Sequence, residues 1–370
     1  MEQYRIILSG GGTGGHIYPA VAVAEALRRR LGERVNLLFV GAEGKMETEK
    51  IPALGYEIKC LPVAGLQRRL SLGNLKLPFK VAKSVRRAKG IIREFAPDVV
   101  AGFGGYASGP VLWSAQRMKL PTLIQEQNSY AGVTNKLLGR RADRVCVAYE
   151  GMERFFPEQK IVFTGNPLRG TFAGIDEKRA DALEYFGLQD GKPVLLIVGG
   201  SLGTRTLNEM MKRWVDSIVS KGELQVIWQT GKYYEKEMDV FMAERPSEGI
   251  WRGAFIERMD YAYAAADVVV SRSGANTVSE LCLIGKPTIF VPSPNVSEDH
   301  QTKNAVALAN KSAAIVVKDA DAAENVMPEV ERLLADPVRM QELARNMKAL
   351  GIADSADRIA GLIIELADKR

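Results

Sequence analysis

The chain has 370 residues, 46% hydrophobic and 25% charged, proportions that exclude a disordered, collagen-like or coiled-coil protein and suit two domains of ordinary size. Three widely separated cysteines (Cys60, Cys146, Cys282) and two histidines (His16, His300) argue against a disulfide framework or a multi-histidine metal site and for a reducing compartment. The formal charge of +6 hides an asymmetry: residues 1–165 carry 25 Lys+Arg against 14 Asp+Glu, and residues 166–370 carry 25 against 30, so an anionic partner is expected on the first half.

In chain order, short β-branched runs alternate with segments of helical period, the pattern of βαβ units and parallel sheets. Strands are predicted at 4–9, 35–40, 57–63, 98–103, 121–125, 143–147 and 160–164, then at 193–198, 224–229, 251–255, 267–271, 287–291 and 313–317. Apolar residues recur at helical spacing over 17–31, 79–95, 204–220 and 299–310, and beyond 320 only helical patterns remain. The turn-prone Gly165-Asn166-Pro167 marks the expected domain boundary, and the charge sign changes there. No apolar run reaches the roughly 18 residues of a membrane helix. The first strand breaks into glycines too early for a signal peptide, so a cytoplasmic protein, at most peripheral to a membrane, is expected.

Four glycine-containing loops follow predicted strands and open predicted helices. The first, Gly10-x-Gly12-x-x-Gly15, formally satisfies the dinucleotide fingerprint. The next strand ends Phe39-Val40-Gly41 with no acid to hold a ribose, which disfavours a nicotinamide enzyme. The loop does offer backbone that can approach an anion or sugar at a helix N-terminus. The others are Gly102–Pro110, containing Tyr106; Gly199-Gly200-Ser201-Leu202-Gly203; and Ser271–Thr277, containing Ser273, Gly274 and Ala275. Without a GxxxxGK[ST] sequence, a P-loop NTPase is disfavoured. The expected architecture is α/β: two doubly wound Rossmann-like domains facing a central cleft, with ligands at the strand carboxyl ends. Asp319-Ala320-Asp321 is read as helix capping rather than a metal site.

The ordered motifs Gly10–Ala20, Gly104–Pro110, Glu126-Gln127-Asn128, Gly165–Arg169, Gly199-Gly200-Ser201 and Arg272–Glu280 resemble those of the MurG family of bacterial peptidoglycan glycosyltransferases, over nearly the whole chain. That resemblance implies a GT-B fold and inverting transfer of GlcNAc from UDP-GlcNAc to the C4 hydroxyl of MurNAc in undecaprenyl-diphospho-MurNAc-pentapeptide (lipid I), giving lipid II. It implies an acceptor and membrane-associating domain over 1–165, a donor domain over 166–345, and a last helix in 346–370 packing back on the first. Arg169 and Ser201 would hold the donor diphosphate, Ile256 would lie against uracil, Glu280 would accept the ribose hydroxyls and Gln301 would read the sugar. Thr13, Gly14, Gly15 and Asn128 would line the sugar-transfer site. Tyr106, the single aromatic of its glycine loop, is read either as an acceptor contact or as a local packing residue. Two departures stand out: Gln125, where many members carry His, and Pro292–Asn295, which replaces a phenylalanine-containing loop.

Such a transfer needs a base for the acceptor hydroxyl and stabilisation of the departing diphosphate. His16 and Glu126 are the two candidate bases; Arg169 and the loop amides would serve the leaving group, with no tightly bound cofactor or metal required. Between Glu57 and Glu94 the chain has no acid. Arg68, Arg69, Lys80, Arg86 and Arg87 there, interleaved with Leu72, Leu75, Leu77 and Phe79, are expected to meet anionic lipids at the cytoplasmic face of the bacterial membrane. The family also implies contact with other cell-wall synthesis or division proteins. Two readings compete: a UDP-GlcNAc 2-epimerase-like enzyme of the same fold, which would need no acceptor, and a basic nucleic-acid binder. Phe79 is the only aromatic residue between 57 and 94, so no stacking platform supports the second, and no nucleic-acid partner is expected.

Overall fold

The computed structural model describes residues 3–63, 77–168, 172, 174–200 and 202–369. Contacts divide the chain into two compact units, one of residues up to 169 together with 352–370, the other of 170–351. In each, strands rich in Val, Ile and Leu form a wholly parallel sheet, which must be covered on both faces and therefore reads as continuous apolar runs.

The first sheet contains β1 (Tyr4–Ser9), β2 (Val35–Ala42), β3 (Glu57–Leu61), β4 (Val99–Gly102), β5 (Thr122–Glu126), β6 (Arg144–Val147) and β7 (Ile161–Phe163) in the order β3-β2-β1-β4-β5-β6-β7. Its helices are α1 (Gly14–Leu31), α2 (Glu47–Ala53), α3 (Leu77–Phe95), α4 (Ser108–Arg117) and α5 (Val133–Gly139). The alanine-rich α1 buries Ala20, Val21, Ala24 and Leu27, and ends in Arg28-Arg29-Arg30, where cations favour the negative end of the helix dipole.

The second unit has α6 (Arg179–Phe186), β8 (Val194–Val198), α7 (Arg205–Lys221), β9 (Gln225–Gln229), α8 (Glu235–Met242), β10 (Ile250–Gly253) and α9 (Met259–Ala265). It continues with β11 (Val268–Ser271), α10 (Ala275–Ile284), β12 (Thr288–Phe290), α11 (His300–Ala309), β13 (Ile315–Val316), α12 (Ala322–Leu334) and α13 (Pro337–Ala349). Its strand order is β10-β9-β8-β11-β12-β13. All thirteen expected strands are present, with ends that differ by at most two residues.

A final helix, α14 (Ser355–Asp368), packs on α1 in the first unit, burying Ile359, Ala360 and Ile363. Tyr4 Oη donates to Asp368 Oδ1 (2.7 Å), and Arg29 pairs with Asp357. Residues 346–351, expected in this last segment, instead belong to the second unit as the end of α13 and the two residues after it. Met347 is buried there against Cys282, and Gly351 lies so close to Cys282 O that a Cβ would approach to 2.7 Å.

In each sheet the order reverses at the first strand of the unit, between β1 and β4 and between β8 and β11. The adjacent strands at such a switch point send their connections to opposite faces and leave a crevice at their carboxyl ends. All four glycine loops found in the sequence emerge there.

Candidate active site

In the first unit, Ser9 Oγ closes the end of β1 by donating to Val40 O (2.9 Å). The chain then turns through Gly12 at φ +87°, and the loop after β4 turns through Gly104 (+85°) and Gly105 (+81°), conformations that favour glycine. The two loops touch: a Cβ on Gly105 would lie 2.1 Å from Gly11 O, and one on Gly104 would lie 2.7 Å from His16 Cδ2. His16, half-buried in the first turn of α1, has Nδ1 3.0 Å from Thr13 Oγ1. Gly14 and Gly15 begin the same helix, and exposed Tyr106 stands beside Gly12.

Glu126, at the end of β5, is buried. Its Oε1 accepts from Asn128 N (3.1 Å) and Nδ2 (3.4 Å); its Oε2 accepts from Gly132 N (3.1 Å) and Asn135 Nδ2 (2.8 Å). Burial pushes the carboxyl above its usual range, while these four donors pull it back. Gln125 is equally buried, and its amide donates to Asn166 Oδ1 (2.8 Å), so the residue replacing the family histidine braces the interior. The sequence reading missed Glu47. Its buried carboxylate accepts from the amides of Gly12 and Ala42; the sequence offered three acids shortly after β2, Glu43, Glu47 and Glu49, with nothing to single out the middle one.

On the same unit, α3, α4 and α5 enclose an apolar groove of about 950 Å³, lined by Val81, Trp113, Leu137 and Leu138 and reaching Tyr106. Lys80, Arg86 and Lys89 also line it, and Lys89 and Arg117 lie over the Trp113 ring. Phe79, next to Lys80 on α3, is 79% exposed. Arg87 points elsewhere, donating through Nε to Cys60 O (2.8 Å). Arg68, Arg69, Leu72, Leu75 and the side chain of Leu77 lie outside the described residues.

In the second unit, Thr204 Oγ1 donates to Gly199 O (2.8 Å) and leads into α7. Gly203 and Gly231 cross so closely that a Cβ on Gly231 would lie 2.0 Å from Gly203 Cα. Glycine 274 caps α10, whose first turn holds Ala275 and Thr277. Ser273 is fully buried, donating to Gln301 O (2.8 Å), and Gln301 Oε1 accepts from Ser293 N (2.9 Å). Gln301 thereby holds the Pro292–Asn295 segment. Further along α10, Glu280 Oε2 accepts from Tyr263 Oη (3.0 Å), and burial raises its carboxyl to about 7.

The Ile256 side chain is 1% exposed, so a ligand at this position would meet its backbone or the exposed Phe255. Asp319 accepts from Thr206 Oγ1 (3.0 Å) and pairs with Arg272, while Asp321 makes no side-chain cap. Of the Asp-x-Asp, Asp319 serves an ion pair rather than a cap. Arg169 and Ser201 lie outside the described residues.

Two parallel sheets of this order, each with glycine loops at its switch point, define an α/β protein of the GT-B class. Residues 6–147 match the glycosyltransferase family 28 N-terminal domain and residues 194–359 the family 28 C-terminal domain. The chain belongs to glycosyltransferase family 28. It is 50% identical, over the full length of both chains, to the UDP-N-acetylglucosamine--N-acetylmuramyl-(pentapeptide) pyrophosphoryl-undecaprenol N-acetylglucosamine transferase of Parabacteroides distasonis, and 48% identical over both full lengths to that of Flavobacterium psychrophilum. Among solved structures it resembles Acinetobacter baumannii MurG, with a TM-score of 0.78 and 30% identity over 98% of this chain and 99% of that one. A UDP-GlcNAc 2-epimerase from Neisseria meningitidis shares the fold (TM-score 0.70, 14% identity, 97% of this chain and 99% of that one).

Proposed function

We propose that this chain is an inverting N-acetylglucosaminyltransferase that moves GlcNAc from UDP-GlcNAc to the muramyl C4 hydroxyl of undecaprenyl-diphospho-MurNAc-pentapeptide. The observation that carries this reading is full-length identity of about half to transferases named for that reaction; the epimerase likeness, at 14%, speaks for fold alone.

His16 is assigned as the base. In the tautomer protonated at Nδ1, the imidazole donates to Thr13 Oγ1, and Nε2 is the atom assigned to take the acceptor proton. As the hydroxyl oxygen bonds to the sugar C1, the C1–phosphate oxygen bond breaks on the opposite face and the proton passes to Nε2. Glu126, both oxygens engaged by its own loop, is assigned to hold Asn128 in place rather than to accept that proton. The positive N-terminal ends of α7 and α10, with Arg169 and Ser201, are assigned to the UDP diphosphate. Glu280 is assigned to the ribose hydroxyls, Gln301 to the sugar and the backbone around Ile256 to uracil.

The apolar groove with Lys80, Arg86 and Lys89 suits a bilayer surface bearing anionic headgroups, which would place the enzyme at the cytoplasmic face of the membrane that holds its acceptor. Among the described residues, no helix is long and apolar enough to cross a membrane. Incubation with labelled UDP-GlcNAc and a lipid I analogue tests the reading. UDP release should require the acceptor; conversion of the donor without acceptor would support an epimerase instead.

A further inference from the structure

We infer that Glu47 is a positioning residue that sets the catalytic conformation of the Gly10–His16 loop. Its carboxylate is 1% exposed. Oε1 accepts from Ala42 N (2.9 Å) and Gly12 N (3.1 Å), and Oε2 accepts from Gly12 N (3.0 Å). Buried carboxylates persist only where such donors satisfy them. The glycines around it make room: a Cβ on Gly11 would stand 2.0 Å from Glu47 Oε1, and one on Gly41 would stand 2.6 Å from Glu47 Cγ. Gly11 in the first loop, Gly41 near the end of β2 and Glu47 at the start of α2 therefore form one device.

Two consequences follow for the reaction. The Gly12 amide points at the Glu47 carboxylate, so it is not offered to an acceptor phosphate. The same bond anchors Gly12 at φ +87°, immediately before Thr13, whose hydroxyl lies 3.0 Å from His16 Nδ1. Glu47 thus acts through Gly12 and Thr13 on the orientation of the imidazole.

This inference rests on the assignment of His16 as base, and the test separates the two. Glu47→Gln keeps the shape but replaces one acceptor oxygen with an N–H donor facing a backbone N–H. In the folded variant, kcat should fall about 10- to 100-fold, since a misplacement of about 1 Å at a reacting group can cost about 10²-fold. KM for UDP-GlcNAc should stay at the wild-type value, because the loops of the second unit are untouched. Amide exchange at Gly12 should quicken. Gly41→Ala, which displaces the carboxylate without removing it, should reproduce that split. Wild-type kcat in folded Glu47→Gln overturns the inference, as does a rise in donor KM that tracks the loss of kcat, the mark of general loosening. His16→Ala measured alongside tests the base assignment itself. If His16→Ala retains kcat, that assignment fails on its own, and unchanged Gly12 exchange in Glu47→Gln would then overturn the positioning role as well.

Discussion

Two ionisable side chains, one in each unit, carry the sharpest consequences for catalysis. His16→Ala removes the assigned base and should lower kcat by about 10²- to 10⁴-fold at saturating substrates, measured as acceptor-dependent UDP release. Glu280 offers a pH signature. Burial holds its carboxyl near 7, and Tyr263 Oη supplies one hydrogen bond to it. Ribose hydroxyls donate best to the ionised form, so donor affinity should strengthen as pH rises through about 7 and weaken as the carboxyl protonates below it. Measured as KM for UDP-GlcNAc against pH, this dependence should vanish in Glu280→Gln. KM there should rise about 10- to 100-fold, the worth of hydrogen bonds to a charged acceptor at about 1.5–3 kcal/mol. A flat wild-type profile would remove Glu280 from the ribose site. The carboxylate was legible in the sequence from its place in the Arg272–Glu280 motif; its partner Tyr263, on a different helix, was not.

Among the elements, α14 shows how little of a helix's destination is written in its own residues. Its apolar stripe of Ile359, Ala360 and Ile363 could cover either sheet, and the structure places it on α1 of the first unit. Ile363→Ala should destabilise that unit by about 2–5 kcal/mol, seen as a lower denaturant midpoint. Its neighbour α13 stays with the second unit because Met347 and Gly351 fit against α10. Where β8 and β9 end, the Gly203–Gly231 crossing leaves no space for a side chain. Gly231→Ala, at φ +83°, should therefore lower the melting temperature sharply or yield no soluble protein. A variant melting like wild type would mean that the two loops can part.

For the whole molecule, the net charge of +6 separates into a basic first half and a mildly acidic second half, and the groove of α3, α4 and α5 gives part of the basic excess a location. Replacing Lys80, Arg86 and Lys89 by Glu should reduce binding to anionic vesicles on the order of 100-fold or more, at about 1 kcal/mol per cation near a charged surface, and added salt should weaken wild-type binding. Undiminished binding in a flotation assay would move the membrane contact away from the groove. The sequence by itself determined the strands, because a parallel sheet covered on both faces demands unbroken runs such as Ile6-Ile7-Leu8 and Leu195-Leu196-Ile197. It determined three of the four glycine loops too, because the conformations or close approaches of Gly12, Gly104, Gly105 and Gly203 exclude other residues. Only the tertiary structure decided the strand order that gathers those loops at two switch points. It alone decided that Ile256 turns inward, that Asp319 pairs with Arg272, and that Glu47 reaches back under the first loop. These outcomes depend on contacts between segments far apart in the chain or on the direction of a single side chain, and neither leaves a local pattern to read.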